Sequence, residues 1–323
     1  MNPCWLSQAA DELVRFHASS GGSGSALLKW LFDKGIIGTA VSYAYCPEEL
    51  CYKPELIYRF EDYRQTGSIY HEVDLLAFLQ EHLDGIRGGF SCFCLPCQAK
   101  AVRQLLTRAG HEVFLLGMVC SSQLSIDATR YLLRLMRIPA DDVAEIKYRG
   151  DGWPGGVRIL KKDGTVRMVP NLASEWTKVF HSRLFNPKKC FTCAWTLNPF
   201  ADITLADPWL PEVLETERTG KTLLVADTEQ GETFLHGACQ DGYLALEELP
   251  AGSLEKSQAG TLRRKSAFRA AGKAGKRLID LYGSQKYRRW ILSGPEWLFS
   301  LHCKLKDVLE RRIIRKHHET VAG

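Results

Sequence analysis

The sequence predicts an α/β protein with three portions: alternating strands and helices at the N-terminus, a β-rich second portion and a helical C-terminal extension. Three observations lead to this class. Segments with strand and helix periodicity alternate as far as about residue 140. Short strand-like segments separated by turns follow from about 142 to 250. The chain from 254 onwards is helical in pattern and rich in lysine and arginine.

The N-terminal portion begins with a helix predicted over 25–35, where apolar residues recur at helical spacing before a glycine. The β-branched segment 36–45 is predicted to form a strand. Periodicity then gives a helix over 73–83, a strand over 88–95, a helix over 96–110, a strand over 111–120 and a helix over 125–138. Because strands and helices alternate at this spacing, we expect βαβ units with parallel strands.

The second portion, 142–250, shows short strand signals that we expect to pair mostly antiparallel as a separate β-rich region. Its clearest signal is a hairpin over 156–169, with Asp163 and Gly164 at the turn. The segment 222–235 is also predicted to form strand. Beyond 251 the pattern is helical. An apolar stripe at helical spacing there comprises Leu298, Leu301, Leu305, Val308, Leu309 and Ile313.

Composition indicates a globular protein of ordinary kind. Hydrophobic residues make up 45% and charged residues 24% of the 323 residues, which is enough chain for a large core and for two domains. No apolar segment approaches the roughly 20 residues of a membrane span. The N-terminus lacks a signal-peptide pattern, so we expect a cytoplasmic location. The 11 cysteines are then not expected to form a disulfide framework.

The formal charge of +5 is unevenly distributed. From Leu254 to the end, 17 lysines and arginines stand against 6 acidic residues, a net charge of +11, whereas the remainder carries −6. The tail is therefore expected to meet different partners from the rest of the chain. An anionic membrane surface, an acidic protein, and packing on the body or on a second subunit are all open.

Two groups of cysteines are candidate metal ligands. Cys97 and Cys120 each follow a predicted strand, and the carboxyl ends of neighbouring strands form the crevices of open α/β sheets. Cys190 and Cys193 form a Cys-x-x-Cys pair, whose turn brings two sulfurs together. All four thiolates together suit zinc or an iron–sulfur cluster. A redox dithiol and inert buried thiols are the alternatives.

The glycine-rich segment 15–28 is a candidate phosphate site. Ser20, Gly21 and Gly22 precede a helix, so backbone N–H groups and the helix N-terminus could hold a phosphate group. A flexible glycine- and serine-rich loop is an equal alternative. The spacing fits neither a Walker A loop nor a dinucleotide-binding fingerprint.

A second glycine-rich segment, 147–159, carries Arg149 and Trp153 after a strand. These side chains could line a pocket for an anionic or planar ligand. A tight turn in a hairpin explains the same pattern. Asp207, near the cysteine pair, is either an ordinary turn residue or a hydrogen-bond acceptor.

Taken together, the motifs resemble the family of coenzyme F-420 hydrogenase/dehydrogenase beta subunits, in order and approximate spacing, from about residue 15 to 245. Each motif is weak alone, and the specificity comes from six in sequence. They are Arg15 with "SSGG", "GSIY" (67–70), "LPCQ" (95–98), Cys120 after the next strand, "YRGDGWPG" (148–155), and "CFTCAW" (190–195) with "ADITLADPW" (201–209). Cys94 departs from the pattern, since the family usually has glycine there.

The resemblance implies an FAD-dependent iron–sulfur oxidoreductase that moves electrons between a 4Fe–4S cluster, flavin and a hydride carrier or organic substrate. The cluster ligands implied are Cys97, Cys120, Cys190 and Cys193. The residues implied at the flavin or substrate pocket are Arg15, Ser20, Gly21, Gly22, Gly67, Ser68, Tyr70, Arg149 and Trp153. Related chains occur beside surface-polysaccharide enzymes, so a glycan precursor is one expected substrate.

The resemblance also gives expectations for domains and partners. Residues 1–85 and 86–250 would be the two parts of one flavoprotein module, the second with the cluster cysteines, and 251–323 a basic helical tail. The ferredoxin-like cysteine run of many relatives is missing from this sequence. Electrons are therefore expected from a partner such as a ferredoxin or from a small hydride carrier. The tail would add contact with the inner face of the membrane.

A second class of function is open. The chain could be a non-catalytic zinc- or cluster-binding protein whose basic tail docks nucleic acid, a membrane or a partner protein. The cysteines, however, lie in an α/β body with a cofactor-like glycine loop, not in a small zinc module. We therefore expect no nucleic acid among the partners.

Overall fold

The structure is a computed structural model that describes the backbone of residues 3–322 and the side chains of residues 3–317. The strands are β1 (Cys4–Ala9), β2 (Thr39–Cys46), β3 (Cys51–Ile57), β4 (Phe90–Cys94), β5 (Val113–Met118), β6 (Val143–Lys147), β7 (Gly156–Lys161), β8 (Val166–Pro170), β9 (Ile203–Ala206), β10 (Thr222–Ala226) and β11 (Leu244–Leu249). The α-helices are α1 (Glu12–His17), α2 (Ser23–Asp33), α3 (Leu75–Glu81), α4 (Pro96–Arg108), α5 (Asp127–Leu135), α6 (Glu175–His181), α7 (Lys188–Phe191), α8 (Pro211–Thr216), α9 (Glu229–Gln240), α10 (Ser253–Ser257), α11 (Ala259–Ala270), α12 (Gly272–Tyr282), α13 (Gln285–Ser293) and α14 (Glu296–Ala322).

The main sheet has eight strands in the order β11-β1-β10-β9-β5-β4-β2-β3. Strands β9, β5, β4 and β2 run parallel, and the strands on either side of this group pair antiparallel. The predicted α/β class is therefore confirmed. Because parallel strands end at the same edge of the sheet, the residues that follow β4, β5 and β9 meet there.

The predicted alternation in the N-terminal portion is confirmed element by element. Helices α2, α3, α4 and α5 and strands β2, β4 and β5 fall within a few residues of their expected ranges. Strands β1 and β3 were not predicted. β1 lies between β10 and β11, with Cys4 opposite Val225, so its place depends on contacts more than 200 residues away.

The prediction of a separate β-rich region over 142–250 holds only for its first part. β6, β7 and β8 form a three-stranded antiparallel sheet that contains the expected hairpin. β9, β10 and β11 instead extend the main sheet. The strand prediction for 222–235 is wrong beyond Ala226, because Thr228 caps helix α9 by accepting a hydrogen bond from the Gly231 N–H.

The C-terminal extension is helical, as predicted, and packs on the body. Helix α14 turns Phe299, His302 and Glu310 inward. The Glu310 carboxylate accepts a hydrogen bond from Arg183 Nε at 2.9 Å, and both side chains are buried. The predicted apolar stripe therefore divides: two members pack inward, and four are exposed. Leu298 and Ile313 contact core clusters, whereas Leu301, Leu305, Val308 and Leu309 face solvent.

None of the helices in the described part of the chain has the length and apolar character to cross a membrane.

Candidate functional site

A cavity of about 620 Å³ lies at the carboxyl edge of the parallel strands. Its wall includes Cys94 at the end of β4, Cys120 just after β5, and Asp207 just after β9. Ligand and cofactor pockets in proteins commonly measure about 300–1,000 Å³. The cavity therefore has the size and the position of a cofactor site in an open α/β sheet.

Most of the residues that the resemblance assigns to the flavin pocket line this cavity. These are Ser20, Gly22, Gly67, Ser68, Tyr70 and Arg149. They come from three distant segments, and the Ser68 and Ser19 hydroxyls join two of those segments by a hydrogen bond of 2.9 Å. The fold thus brings the three motifs to one edge of the main sheet.

Arg15, Gly21 and Trp153 are not among the lining residues. Arg15 pairs with Glu217 at 3.2 Å. A Cβ on Gly21 would lie 2.6 Å from backbone atoms of two neighbouring strands, so this glycine permits close packing. Trp153 is buried and donates its Nε1 hydrogen to Asp207 at 3.1 Å. Of the three, Trp153 thus contacts the cavity wall through Asp207.

An ion pair between buried Arg149 and partly exposed Asp207 connects the motifs. Arg149 donates from both terminal nitrogens to the two carboxylate oxygens of Asp207, at 3.0 and 3.1 Å. It also donates to the Ser19 carbonyl oxygen at 2.7 Å and more weakly to the Tyr70 hydroxyl at 3.4 Å. Burial lowers the pKa of Arg149, but the Asp207 carboxylate outweighs this and raises it, so the guanidinium stays charged. Of the two roles considered for Asp207, the structure shows the acceptor.

One donor of the Arg149 guanidinium has no hydrogen-bond partner among the described residues. This donor is the buried Nε–H group. A buried donor left unsatisfied costs about 1–3 kcal/mol, so such groups are normally paired. Because Arg149 lines the cavity, an acceptor atom of a bound anionic or planar ligand fits this position.

The glycine-rich segment ends at the start of helix α2. Gly22 has a left-handed φ of 74°, and no side chain caps the first turn of the helix. Gly22, Gly24 and Ser25 line the cavity. Uncapped N–H groups and the helix dipole favour an anion at this end. The arrangement fits the phosphate-site alternative for this segment.

Gly67 holds one wall of the cavity against the Arg149 backbone, and we expect Gly67→Ala to weaken both the fold and ligand binding. Its φ is +73°, and a Cβ would lie 2.2 Å from the Arg149 carbonyl oxygen. The expected loss in unfolding free energy is about 1–3 kcal/mol from backbone strain alone, with a further loss from the clash. Chemical denaturation measures the total loss in unfolding free energy.

Gly35→Ala is the matched control for this prediction. Gly35 has a similar φ of +64°, but a Cβ there meets nothing within 4 Å. It therefore carries the backbone penalty without the clash. Equal losses of stability in Gly67→Ala and Gly35→Ala would contradict the importance of the contact.

His71 gives the site a pH-dependent stability. It is 4% exposed, accepts a hydrogen bond from the Tyr52 N–H at its Nε2 atom at 2.8 Å, and is therefore neutral. Burial lowers the pKa of His71. The unfolded chain takes up the proton near pH 6.5 while the folded protein does not. The free energy of unfolding should therefore fall as pH drops below about 6.5, by at most about 1.4 kcal/mol per pH unit.

Urea denaturation at pH 7.5 and pH 5.5 tests this prediction on the wild type and on His71→Gln. Glutamine does not titrate, so the variant should lose less stability between the two pH values. An identical loss in both proteins would contradict it.

The four predicted cluster ligands lie on loops at the same edge of the sheet. Cys97 is in the first turn of α4, Cys120 follows β5, and Cys190 and Cys193 are in and just after α7. Burial raises the pKa of Cys97, and the nearby Cys193 and Cys190 thiols raise it further. Burial likewise raises the pKa of Cys120 to about 12, against the lowering effect of Lys265, and the other three thiols add to the increase. All four thiols thus lie within electrostatic range of one another.

The kind of metal centre depends on how closely its ligand sulfurs approach one another. In the described part of the chain, no three His, Cys, Asp or Glu side chains are arranged to hold one metal ion. A tetrahedral zinc site brings its sulfurs within about 4 Å of each other, because each Zn–S bond is about 2.3 Å. A 4Fe–4S cluster separates its ligand sulfurs more widely, since irons and sulfides lie between them. The kind of metal centre and its ligand set stay a prediction.

Sequence reasoning missed the contribution of the C-terminal extension to the site. Gln258, Gly260 and Thr261 line the cavity, and Lys265 of the same helix reaches the cysteine loops. Helical spacing that places Lys265 near the buried Phe268 was the available signal. The basic composition of the tail instead favoured the prediction that its charged side chains are exposed.

Fold and site together define an α/β protein with a cofactor-sized cavity at the carboxyl edge of its parallel strands, with Cys120 in the cavity wall and three further cysteines on loops at the same edge.

The chain belongs to the family of coenzyme F420 hydrogenase/dehydrogenase beta subunits, whose members named below are parts of electron-transfer oxidoreductases. The model of the beta-subunit N-terminal part matches residues 4–80, and the model of the C-terminal part matches residues 90–251. The resemblance drawn from the motifs is thereby confirmed.

Two curated relatives are archaeal oxidoreductase subunits. One belongs to the F(420)H(2) dehydrogenase of Methanosarcina mazei and is 26% identical over 224 residues, which cover 67% of this chain and 58% of that protein. The other is the beta subunit of F420-dependent formate dehydrogenase 1 of Methanococcus maripaludis, 24% identical over 249 residues, which cover 75% of this chain and 61% of that protein. The chain thus spans less than two thirds of the length of both relatives.

A solved structure shares the fold. A chain of the F420-reducing [NiFe] hydrogenase complex from Methanosarcina barkeri superposes with a TM-score of 0.63 at 18% identity. The match covers 81% of this chain and 89% of that chain.

Proposed function

We propose that the chain is an electron-transfer subunit that holds FAD in the cavity and a 4Fe–4S cluster on Cys97, Cys120, Cys190 and Cys193. One observation carries the proposal: Cys120 belongs to the cysteine set and also lines the cavity. When both groups are bound, the cluster supplies single-electron transfer and the flavin supplies hydride transfer to a carrier or organic substrate.

The chain's own residues have three tasks in this proposal. The N-terminus of helix α2 binds the phosphate part of the cofactor. Arg149, held by Asp207, keeps a fixed positive charge and a donor in the cavity. An apolar part of the wall excludes water and packs against the planar ring. This part includes Tyr63, Phe93, Met118, Trp176, Phe180 and Leu205.

The hydride carrier and the electron partner are part of the proposal. F420 appears in the names of the relatives and is therefore a candidate carrier to test here. Those relatives are subunits, which supports a protein partner such as a ferredoxin for the cluster. The expected link to surface-polysaccharide metabolism stays a prediction, since no described residue bears on it.

Anaerobic purification tests the proposal. We expect a brown protein with flavin bands and broad cluster absorbance, with one FAD, four irons and four sulfides per chain. Reduction with dithionite should bleach both features. Reduced F420 is tested as the hydride donor on a separate sample of the oxidised protein. A colourless zinc protein without flavin would overturn the proposal in favour of the non-catalytic metal-binding alternative.

We also propose that the exposed face of helix α14 contacts an anionic membrane surface. Trp297, Leu301, Leu305 and Val308 recur at helical spacing and are 65%, 43%, 55% and 41% exposed. Exposed basic residues flank this face, namely Lys304, Arg311 and Arg312. Amphipathic helices with tryptophan and basic side chains lie in the interface of anionic bilayers.

Vesicle co-sedimentation tests this contact with phosphatidylglycerol and with phosphatidylcholine vesicles. The double variant Trp297→Ala, Leu305→Ser should bind phosphatidylglycerol vesicles at least about tenfold more weakly, since each side chain loses about 1.5–3 kcal/mol of apolar burial. Leu13→Ser, which removes a 70% exposed leucine outside the tail, is the control. Equal binding by the double variant and the control would contradict the proposal, as would no binding of the wild type.

A further inference from the structure

We infer that helix α11 of the C-terminal extension forms one wall of the cluster site, with Lys265 as a positioning residue that ties two cysteine loops together and places a positive charge beside the cluster. The inference rests on the proposed function. It concerns a segment that lies beyond both family-model matches, the second of which ends at residue 251.

Lys265 bridges two loops that are far apart in the sequence. Its side chain is 2% exposed, and its Nζ donates to the carbonyl oxygens of Cys120 and Trp195, each at 2.9 Å. Trp195 follows Cys193 by two residues. One ammonium group therefore holds the Cys120 loop and the Cys190–Cys193 loop in a fixed relative position.

Two further cations of α11 contact the same loops. Arg264, 7% exposed, donates from Nη2 to the carbonyl oxygen and the hydroxyl of Ser121, at 3.2 and 3.1 Å. Arg269 donates to the carbonyl oxygen of Cys193 at 2.8 Å. Three side chains of one helix thus contact the backbone of both cysteine loops.

The buried charges at this wall have little protein counter-charge, since the Glu310 carboxylate that acts on Arg264 is itself paired with Arg183. Among the described residues, no carboxylate lies within ion-pair distance of Lys265 or Arg264, although both side chains are buried. Buried charges in proteins are normally paired or coordinate a metal group. The Cys120, Cys190 and Cys193 thiols act electrostatically on Lys265. As thiolates on a cluster, they would form an anionic centre that balances these cations.

A fixed positive charge beside a cluster favours its more negative, reduced form. Removing the charge should therefore lower the reduction potential, because net charge and hydrogen bonding around the cluster set that potential. Loss of the two hydrogen bonds should also loosen the loops and lower the iron content.

The test is the substitution Lys265→Met, which keeps the length of the side chain and removes its charge and its donors. Iron, sulfide and FAD are assayed, and the midpoint potential of the cluster is followed by EPR. We expect FAD to remain bound, with the cluster potential shifted to a more negative value or the iron content reduced. In Lys265→Arg, the midpoint potential of the cluster should stay close to that of the wild type.

Arg263→Met is the matched control, because Arg263 is exposed on the same helix and donates to the Ala259 carbonyl oxygen of that helix, away from the cysteine loops. It should leave the potential unchanged. If Lys265→Met does not fold, Arg269→Gln tests the same wall from an exposed position and should shift the potential in the same direction by a smaller amount.

The outcomes separate this inference from the proposed function. A wild-type protein with FAD and cluster, in which Lys265→Met changes neither potential nor iron content, overturns the role of Lys265 alone. A wild-type protein without iron overturns the proposed function and this inference with it.

Discussion

Cys190→Ser is expected to remove most of the iron and sulfide from the protein while FAD stays bound. A serine hydroxyl is not ionised at neutral pH and is a poor ligand for iron, whereas four thiolates are the usual ligand set of a 4Fe–4S cluster. The cavity wall does not include Cys190, so the flavin site should survive the change. Iron, sulfide and flavin assays on anaerobically purified protein measure the result.

Cys46→Ser is the matched control for the Cys190 variant. Cys46 is a half-buried free cysteine at the end of strand β2, in the hairpin with β3. The Cys46→Ser variant should retain the full iron content of the wild type. Unchanged iron in Cys190→Ser would remove this residue from the ligand set, and equal iron loss in Cys46→Ser would show that the assay reports general instability.

Asp207→Ala is expected to lower the free energy of unfolding by about 3–5 kcal/mol and to empty the flavin cavity. The substitution leaves the Arg149 guanidinium, whose side chain is 1% exposed, without its carboxylate partner. An uncompensated buried charge carries a cost of this size. Chemical denaturation and the flavin content of the purified variant measure the two effects.

Two further variants separate the buried charge from other causes. Replacing both partners in Arg149→Met, Asp207→Ala should recover part of the stability, because no buried charge is then left alone. Asp127→Ala breaks an exposed pair with Arg130 and should cost about 1 kcal/mol or less. If the double variant had a lower free energy of unfolding than Asp207→Ala, the interpretation would be contradicted.

Local periodicity was enough to predict the part of the fold that carries two of the cysteines. Strand β4 before Cys97 and strand β5 before Cys120 are short buried strands with clear helix signals after them. Their parallel pairing follows from the βαβ pattern. The convergence of these two cysteines could therefore be predicted without a structure.

Long-range pairing could not be predicted in the same way. Strand β1 enters the sheet between β10 and β11 because of contacts across the whole chain. Arg149 and Asp207 both stood out in the sequence, but nothing local indicates that they pair across 58 positions. Such contacts depend on the complete topology rather than on the neighbouring residues.

The orientation of single residues was also beyond local reasoning. Gly22 lines the cavity and Gly21 does not, because Gly21 packs against the backbone of β1 and β10. In the tail, composition suggested a basic surface, yet Lys265 points inward to the cysteine loops. Burial of a charged side chain is decided by the groups that it meets in the folded protein.

The most direct test is a crystal structure of the anaerobically purified protein with diffraction data collected on both sides of the iron edge. We predict one anomalous iron peak enclosed by the sulfurs of Cys97, Cys120, Cys190 and Cys193, and FAD density in the adjoining cavity with its ring beside Cys120. An iron peak elsewhere, zinc in its place, or flavin bound outside the cavity would contradict the central claim that cluster and flavin share this edge of the sheet.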